Sequence, residues 1–304
     1  RSLKEIPERV DLAVIAVRAE YVPSVLEECI ECWVGGAAII SGGFAETGRT
    51  DLMDKLTELA SKADFPVIGP NCLGIYSPAF VDSFFLPSER MVRPVSGNIA
   101  IVSQSGGILV DQMVKFAGQG IGLSRAIGLG DKAVINEIDM LKFFARDDMT
   151  EVIAFYIEGF GPGQGREFVT AASRCPKPVI VMKAGKSEAG GRAVSSHTAS
   201  IAGDYKVFSS IMKQFGVVEA MDEYELVSFC ESLSCYPTSV KGRIGIVTAS
   251  GGHGAVAVDK CVESGLEVPA LTAETQQIIR DKLSPKIQSL ASVSNPIDLT
   301  GSSH

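Results

Sequence analysis

The chain has 304 residues, 46% hydrophobic and 21% charged, a balance too apolar for a disordered protein and too charged for a membrane-embedded one. Lys and Arg total 28 against 36 Asp and Glu, a net charge of −8 that leaves no broad basic footprint for nucleic acid. With 31 glycines and 7% aromatic residues, the composition fits an α/β protein with many strand-to-helix turns better than a β-sandwich or a helical bundle.

Length implies two or three domains, at roughly 100–200 residues each. No apolar run reaches the ~18 residues of a membrane span, and no basic segment precedes an apolar one as in a signal peptide. Seven cysteines, an odd number spread along the chain, read as a reduced cytoplasmic protein. Cys29 and Cys32 form a C-x-x-C, but no second pair or histidine stands near. A metal or redox pair and two ordinary helix cysteines are the alternatives, with the latter favoured and no metal expected.

In chain order, residues 10–17 (VDLAVIAV) read as a buried strand, followed by a helix from Pro23. Residues 36–41 read as a strand ending at Gly42 and Gly43, 49–63 as a helix and 66–69 as a strand. This order predicts a parallel sheet with right-handed crossovers. Pro87 and Pro94 bracket a polar stretch read as a linker. A strand at 97–107 then runs into a glycine turn and a helix to Gly118, with further strands at 150–159 and 177–185 separated by a helix at 164–174. Residues 185–203, rich in Gly, Ser and Ala, read as a loop, and helices at 204–215 and 222–235 close the unit. A third unit opens at 242–252.

GNIAIVSQSGG and GRIGIVTASGG start 145 residues apart and agree at 7 of 11 positions. Such a period is too long for a solenoid and implies two homologous α/β domains in tandem. The expected division is 1–93, 94–238 and 239–304. The third unit has too few residues left to complete such a domain and is read as the start of one, and with Arg1 rather than Met first the start of the native chain is read as absent.

Each Ser-Gly-Gly falls where a strand ends and a helix starts. Backbone N–H groups there lack intrahelical partners and the helix dipole adds positive charge. Ser105, Gly106 and Gly107 can therefore cradle a phosphate or carboxylate; a turn required only by helix–sheet packing is the alternative. Of three histidines, His304 is terminal, His253 follows the second Ser-Gly-Gly, and His197 lies in VSSHTASIAGD. Loops at the carboxyl ends of strands line the ligand crevice of open α/β sheets, so His197, Glu158 and the first Ser-Gly-Gly are expected on one rim. An imidazole there can act as a nucleophile with a carboxylate fixing its tautomer; an exposed loop histidine is the plainer alternative. Cys72, in GPNCLG, is more simply a buried turn cysteine than a nucleophile.

These segments resemble the α part of the ADP-forming acyl-CoA synthetases, in the succinyl-CoA synthetase superfamily. The run from IPERVDLAVIAV through SGGFAETG to GPNCLG is similar to the second half of the family's CoA-binding domain. GNIAIVSQSGG resembles the opening of its flavodoxin-like ligase domain, and NPIDLTG part of its second ligase domain. SSHTASIAGDY is similar to the phosphohistidine loop, with Ala199 where the family usually has glycine. The resemblance implies a partial Rossmann-like domain followed by flavodoxin-like domains with parallel sheets. It implies conversion of acyl-CoA, phosphate and ADP to acid, CoA and ATP through an acyl phosphate and a phosphohistidine. His197 matches the phosphorylated residue, Glu158 the carboxylate that orients it, and Ser105, Gly106 and Gly107 the phosphoryl-holding helix N-terminus. CoA is expected along Ser41, Gly43, Phe44, Asn71 and Cys72. ADP, ATP and magnesium belong to an ATP-grasp subunit or domain outside this sequence, in an oligomer. A CoA-sensing module of a protein lysine acetyltransferase and a non-catalytic CoA-binding module are the other readings; the presence of His197 favours the synthetase.

Overall fold

A computed structural model describes residues 2–197, 204–236 and 242–301, with 195–197 described by their backbone alone. Its contacts divide the chain into two units, 1–237 and 238–304.

The first unit opens with β1 (Ala13–Ile15), α1 (Val22–Glu31), β2 (Ala37–Ile39), α2 (Thr50–Lys62) and β3 (Val67–Ile68). The three strands form a parallel sheet in the order β1-β2-β3. Their short apolar segments are buried against α1 and α2, in a core that includes Leu26, Cys29, Ile39, Phe44 and Leu56. Cys29 thus lies in the core, where burial and then its neighbours Glu28 and Cys32 push its thiol pKa up.

A second sheet is built from β4 (Ile75–Ser77), β5 (Val81–Asp82), β6 (Ser96–Ser103), β7 (Leu123–Gly128), β8 (Val152–Ile157), β9 (Val179–Lys183) and β10 (Val218–Ala220). Between these strands lie α3 (Gly106–Gly118), α4 (Glu137–Phe144), α5 (Gln164–Arg174), α6 (Glu188–His197) and α7 (Tyr205–Gln214), and α8 (Glu223–Cys235) follows β10. The sheet order is β10-β9-β8-β6-β7-β4-β5, and β6 to β10 run parallel. Counting from β6, this is the doubly wound order 2-1-3-4-5, which reverses between β6 and β8. Side chains alternate through it: Ile99 and Ile101 face a core shared with α3 and α8, whereas Ala100 and Val102 face one shared with α4, α5 and α7.

Three expectations are revised. Residues 75–82 precede the expected boundary at 93, yet β4 pairs antiparallel with β7 and so joins the second sheet. The stretch read as a linker is packed: Met91 is buried, and Arg93 holds Asp82 at 2.7 Å and the Leu86 carbonyl at 2.8 Å while lying over the Phe84 ring. Residues 188–197, read as loop, form α6. Ser187 caps it by accepting the Gly190 N–H at 3.1 Å, and Ala189, Ala193 and buried Val194 offset the cost of Gly190 and Gly191.

The second unit holds β11 (Val247–Thr248), α9 (Gly251–Glu263), α10 (Ala273–Lys282), α11 (Pro285–Gln288), β12 (Ser292–Val293) and β13 (Ile297–Asp298). Strand β13 lies between parallel β11 and antiparallel β12. Only two residues of the strand expected at 242–252 pair as one.

Phe155, fully buried on β8, meets Phe168 of α5 edge-on with centroids 5.2 Å apart. Phe155→Ala is expected to destabilise the first unit by about 3–5 kcal/mol, read as a lower urea midpoint at unchanged slope. A loss below about 1 kcal/mol would contradict this packing.

Candidate active site at the strand reversal

Strand β6 ends at Ser103, whose hydroxyl donates to the Ser105 carbonyl at 2.7 Å and accepts the Ser105 N–H at 3.1 Å. That folds the chain into α3, with Ser105 as the cap accepting the Ile108 N–H. A Cβ on Gly106 would have only the Leu73 Cβ nearby, at 3.7 Å, and Gly107 is exposed. The first N–H groups of α3 are therefore open to an anion.

Ser103 pairs with Tyr156, and Glu158 lies two residues further on, immediately after β8 ends at Ile157. Glu158 is 5% exposed. Burial first, and then the charge and hydrogen bond of Glu158, push the Tyr156 pKa up. Lys183, at the end of β9, is buried; burial lowers its pKa against the opposing pull of Glu158. Its ammonium donates to the Glu158 carbonyl at 2.6 Å and to the Ala184 carbonyl. Ser105, Gly106, Gly107 and Glu158 thus share one rim. His197 ends α6, and its ring, with residues 198–203, lies outside the described residues.

The residues expected to hold CoA line the carboxyl ends of the first sheet. The Asn71 N–H donates to the Ser41 carbonyl at 2.9 Å. Gly43 has φ +101°, and its N–H and that of Phe44 both donate to the Glu46 carboxylate, at 2.5 and 3.0 Å. A ligand seeking these two donors must replace Glu46. Phe44 is fully buried, so its ring belongs to the core of the first sheet. Cys72 donates its thiol to the Ile39 carbonyl at 3.2 Å, and burial pushes its pKa up to about 12, which leaves no thiolate for nucleophilic chemistry.

The two sheets meet along residues 130–135, which run beside β3. Asp131, Ala133 and Ile135 donate to the carbonyls of Pro70, Gly69 and Val67 at 2.9–3.1 Å. Gly130 has φ +58°, and a Cβ there would stand 2.2 Å from the Pro70 carbonyl oxygen, so glycine is required. This strip puts Asp131 beside Asn71, 3.4 Å from its amide, and against the carboxyl of Glu46. Burial, then the hydrogen bond and charge of Glu46, push the Asp131 pKa up to about 7. For Glu46 burial acts upward too, but the Gly43 N–H and the proton shared with Asp131 outweigh it, and its pKa falls. Asp131, Lys132, Glu137, Lys183 and Gln104 were not among the candidates from sequence. Lys183 had a signal, a charge closing the apolar run KPVIVM; Glu137 had none, because it reads as an ordinary first-turn acid.

Comparisons with known proteins fit this geometry. Residues 96–233 match the family described as succinyl-CoA ligase-like flavodoxin domain, and residues 1–78 match the CoA-binding domain family. The chain is 39% identical to the acetate–CoA ligase [ADP-forming] I of Archaeoglobus fulgidus, over 99% of this chain and 43% of that one. It is 38% identical to the acetate–CoA ligase [ADP-forming] I subunit alpha of Pyrococcus furiosus, over 99% of this chain and 64% of that one. The solved acetyl-coenzyme A synthetase 1 of Ca. Korarchaeum cryptofilum, in complex with phosphate and ADP, superposes with a TM-score of 0.86 at 36% identity, over 99% of this chain and 64% of that one. This is a succinyl-CoA-ligase-like α/β protein with a CoA-binding domain. Along nearly its whole length the chain is homologous to ADP-forming acetate–CoA ligases, where it matches the α part. It spans between about two fifths and two thirds of the length of these relatives.

The Asp131 proton gives a pH signature. The folded state keeps it up to about pH 7, whereas an unfolded Asp releases it near 3.8. The stability it contributes is full below that lower value and is lost as pH rises through about 7. Asp131→Asn should remove this loss, so wild type should weaken relative to the variant between about pH 5 and about pH 8 in urea unfolding. An equal difference at both pH values would refute the assignment.

Proposed function

We propose that the chain is the α part of an NDP-forming acid–CoA ligase. The observation that carries this reading is the junction of β6 and β8, where an open helix N-terminus and the buried carboxylate of Glu158 stand side by side. In the reaction this homology implies, phosphate attacks the thioester carbon of acyl-CoA. The C–S bond breaks, and the phosphate proton passes to the departing thiolate, giving acyl phosphate and CoA. A nitrogen of His197 then attacks phosphorus, the P–O bond to the acyl group breaks, and the acid leaves as carboxylate. The phosphohistidine finally passes its phosphoryl group to ADP.

In this scheme Ser105, Gly106 and Gly107 hold phosphoryl oxygens through the N–H groups and dipole of α3, an effect of about 0.3–1 kcal/mol and up to ~2 when partly buried. Glu158 accepts the N–H of the His197 ring, which leaves the other nitrogen free to attack and stabilises the positive charge gained on phosphorylation. The covalent intermediate splits one difficult transfer into two easier ones. CoA lies along Ser41, Gly43, Phe44, Asn71 and Cys72, with Glu46 displaced from the Gly43 and Phe44 N–H groups. ADP and magnesium bind an ATP-grasp subunit or domain, the partner in an oligomeric cytoplasmic assembly.

The test is acid-labile, base-stable incorporation of labelled phosphate from acetyl-CoA and phosphate, with the ATP-grasp part present. His197→Ala should abolish labelling, and Glu158→Gln should slow it ~10²-fold or more. Undiminished label on the His197→Ala protein, or none on wild type, would give way to the CoA-sensing reading.

A further inference from the structure

Backbone pairing between β6 and β8 ends where the Gln104 N–H meets the Tyr156 carbonyl at 3.3 Å. Beyond it the two strands diverge to helices on opposite faces of the sheet, and Glu158 and Gly159, which follow β8, have no β6 residue paired with them. The Gln104 side chain, 7% exposed, takes the place of that strand. Its Oε1 accepts the N–H groups of Glu158 at 2.7 Å and Gly159 at 3.1 Å. Its Nε2 donates to the Gly159 carbonyl at 2.9 Å and to the carboxylate of Glu137. Lys132 completes the ring, paired with Glu137 at 2.9 Å and donating to the same Gly159 carbonyl at 2.9 Å. Only a primary amide of this length offers two acceptor sites and two donors in one plane.

We infer that Gln104 is the positioning residue of the reaction: its amide fixes the Glu158–Gly159 backbone and so sets where the Glu158 carboxylate stands relative to the N-terminus of α3. The inference rests on the role proposed for Glu158 and adds to it the group that aims it. Gln104 immediately precedes Ser105, so the cradle and the carboxylate are held by adjacent residues of one turn. A shift in either would be transmitted to the other, and misplacement by about 1 Å at a reacting centre can cost 10²-fold in rate.

A role in folding alone would also place a buried amide here, so the test must separate the two. The complete enzyme is used, with its ATP-grasp part, and the rate of His197 labelling and the KM for phosphate are measured for Gln104→Ala, Glu158→Gln and the double variant. Gln104→Ala should slow labelling ~10–10²-fold while KM stays within about twofold of wild type. In the double variant the rate should equal that of Glu158→Gln alone, because a residue that acts through Glu158 has nothing left to aim. Gln104→Glu keeps the acceptor and regains a donor only when protonated, so its rate should recover as pH falls, a limb absent from wild type.

Losses that multiply in the double variant, or a Gln104→Ala rate equal to wild type, would overturn the inference and leave the proposed function standing, provided His197→Ala still takes no label. Label retained on His197→Ala would overturn both.

Discussion

The rim depends on the reversal of strand order at β6. A parallel sheet needs helical crossovers, and a doubly wound one sends them to opposite faces on either side of its first strand. Helix α3 packs on one face with α8, while α4 and α5 pack on the other. The ends of β6 and β8 are therefore left without a covering helix, and their backbone groups must be satisfied by something else. Water would do so at the cost of order; here side chains do so, with Gln104, Lys132 and Lys183 bonding to the Glu158 and Gly159 backbone. The topological gap becomes a rigid, polar and mostly buried platform next to a helix N-terminus.

Charge at this platform is arranged with the same economy. Glu137 is fully buried and would be costly alone, but it lies against Lys132 and the Gln104 amide. The Glu158 carboxylate is shielded from water and has the Lys183 ammonium within electrostatic reach. One junction further on, burial and the neighbouring Glu46 carboxyl push the Asp131 pKa up to about 7, which favours a neutral Asp131 and so a smaller negative charge near Glu158. The two buried carboxylates of the platform are thus each partly neutralised by a lysine.

Much of this was legible from residue order. The strands with unbroken β-branched runs and the helices between them fall where their periods place them, because nothing in tertiary structure competes with an all-apolar strand buried on both faces. What escaped notice depends on pairing rather than propensity. Strand β7 carries Ser124 and Arg125 and declares itself only because β6 and β4 flank it. The stretch between Pro87 and Pro94 reads as a polar spacer, yet Arg93 is held by Asp82 and Leu86, 11 and 7 residues away, and Met91 is buried in the core. Helix α6 was hidden by its glycines, since composition weighs Gly190 and Gly191 but not the Ser187 cap before them. Spacing and strand ends mark Ser105, Gly106, Gly107 and Glu158 in the sequence, whereas Gln104 acts across 54 positions and leaves no local pattern.

The repeated Ser-Gly-Gly turn shows how one local structure supports two different sites. Thr248 repeats the part of Ser103: its hydroxyl donates to the Ser250 carbonyl and accepts the Ser250 N–H, both at 3.0 Å. A position that counts as a mismatch in the aligned letters is therefore a match in hydrogen bonding. The residues around the turns then diverge. In the first copy Gln104 follows the strand and the helix N-terminus stays open at Gly106 and Gly107. In the second, Ala249 replaces the amide, and a Cβ on Gly251 would stand 2.8 Å from the Asp298 carboxylate. That carboxylate already answers the positive end of α9 and repels a second anion. The same turn thus leaves its helix N-terminus open in one unit and has it satisfied by the protein's own acid in the other, and this difference, rather than the glycines, is what separates the two copies.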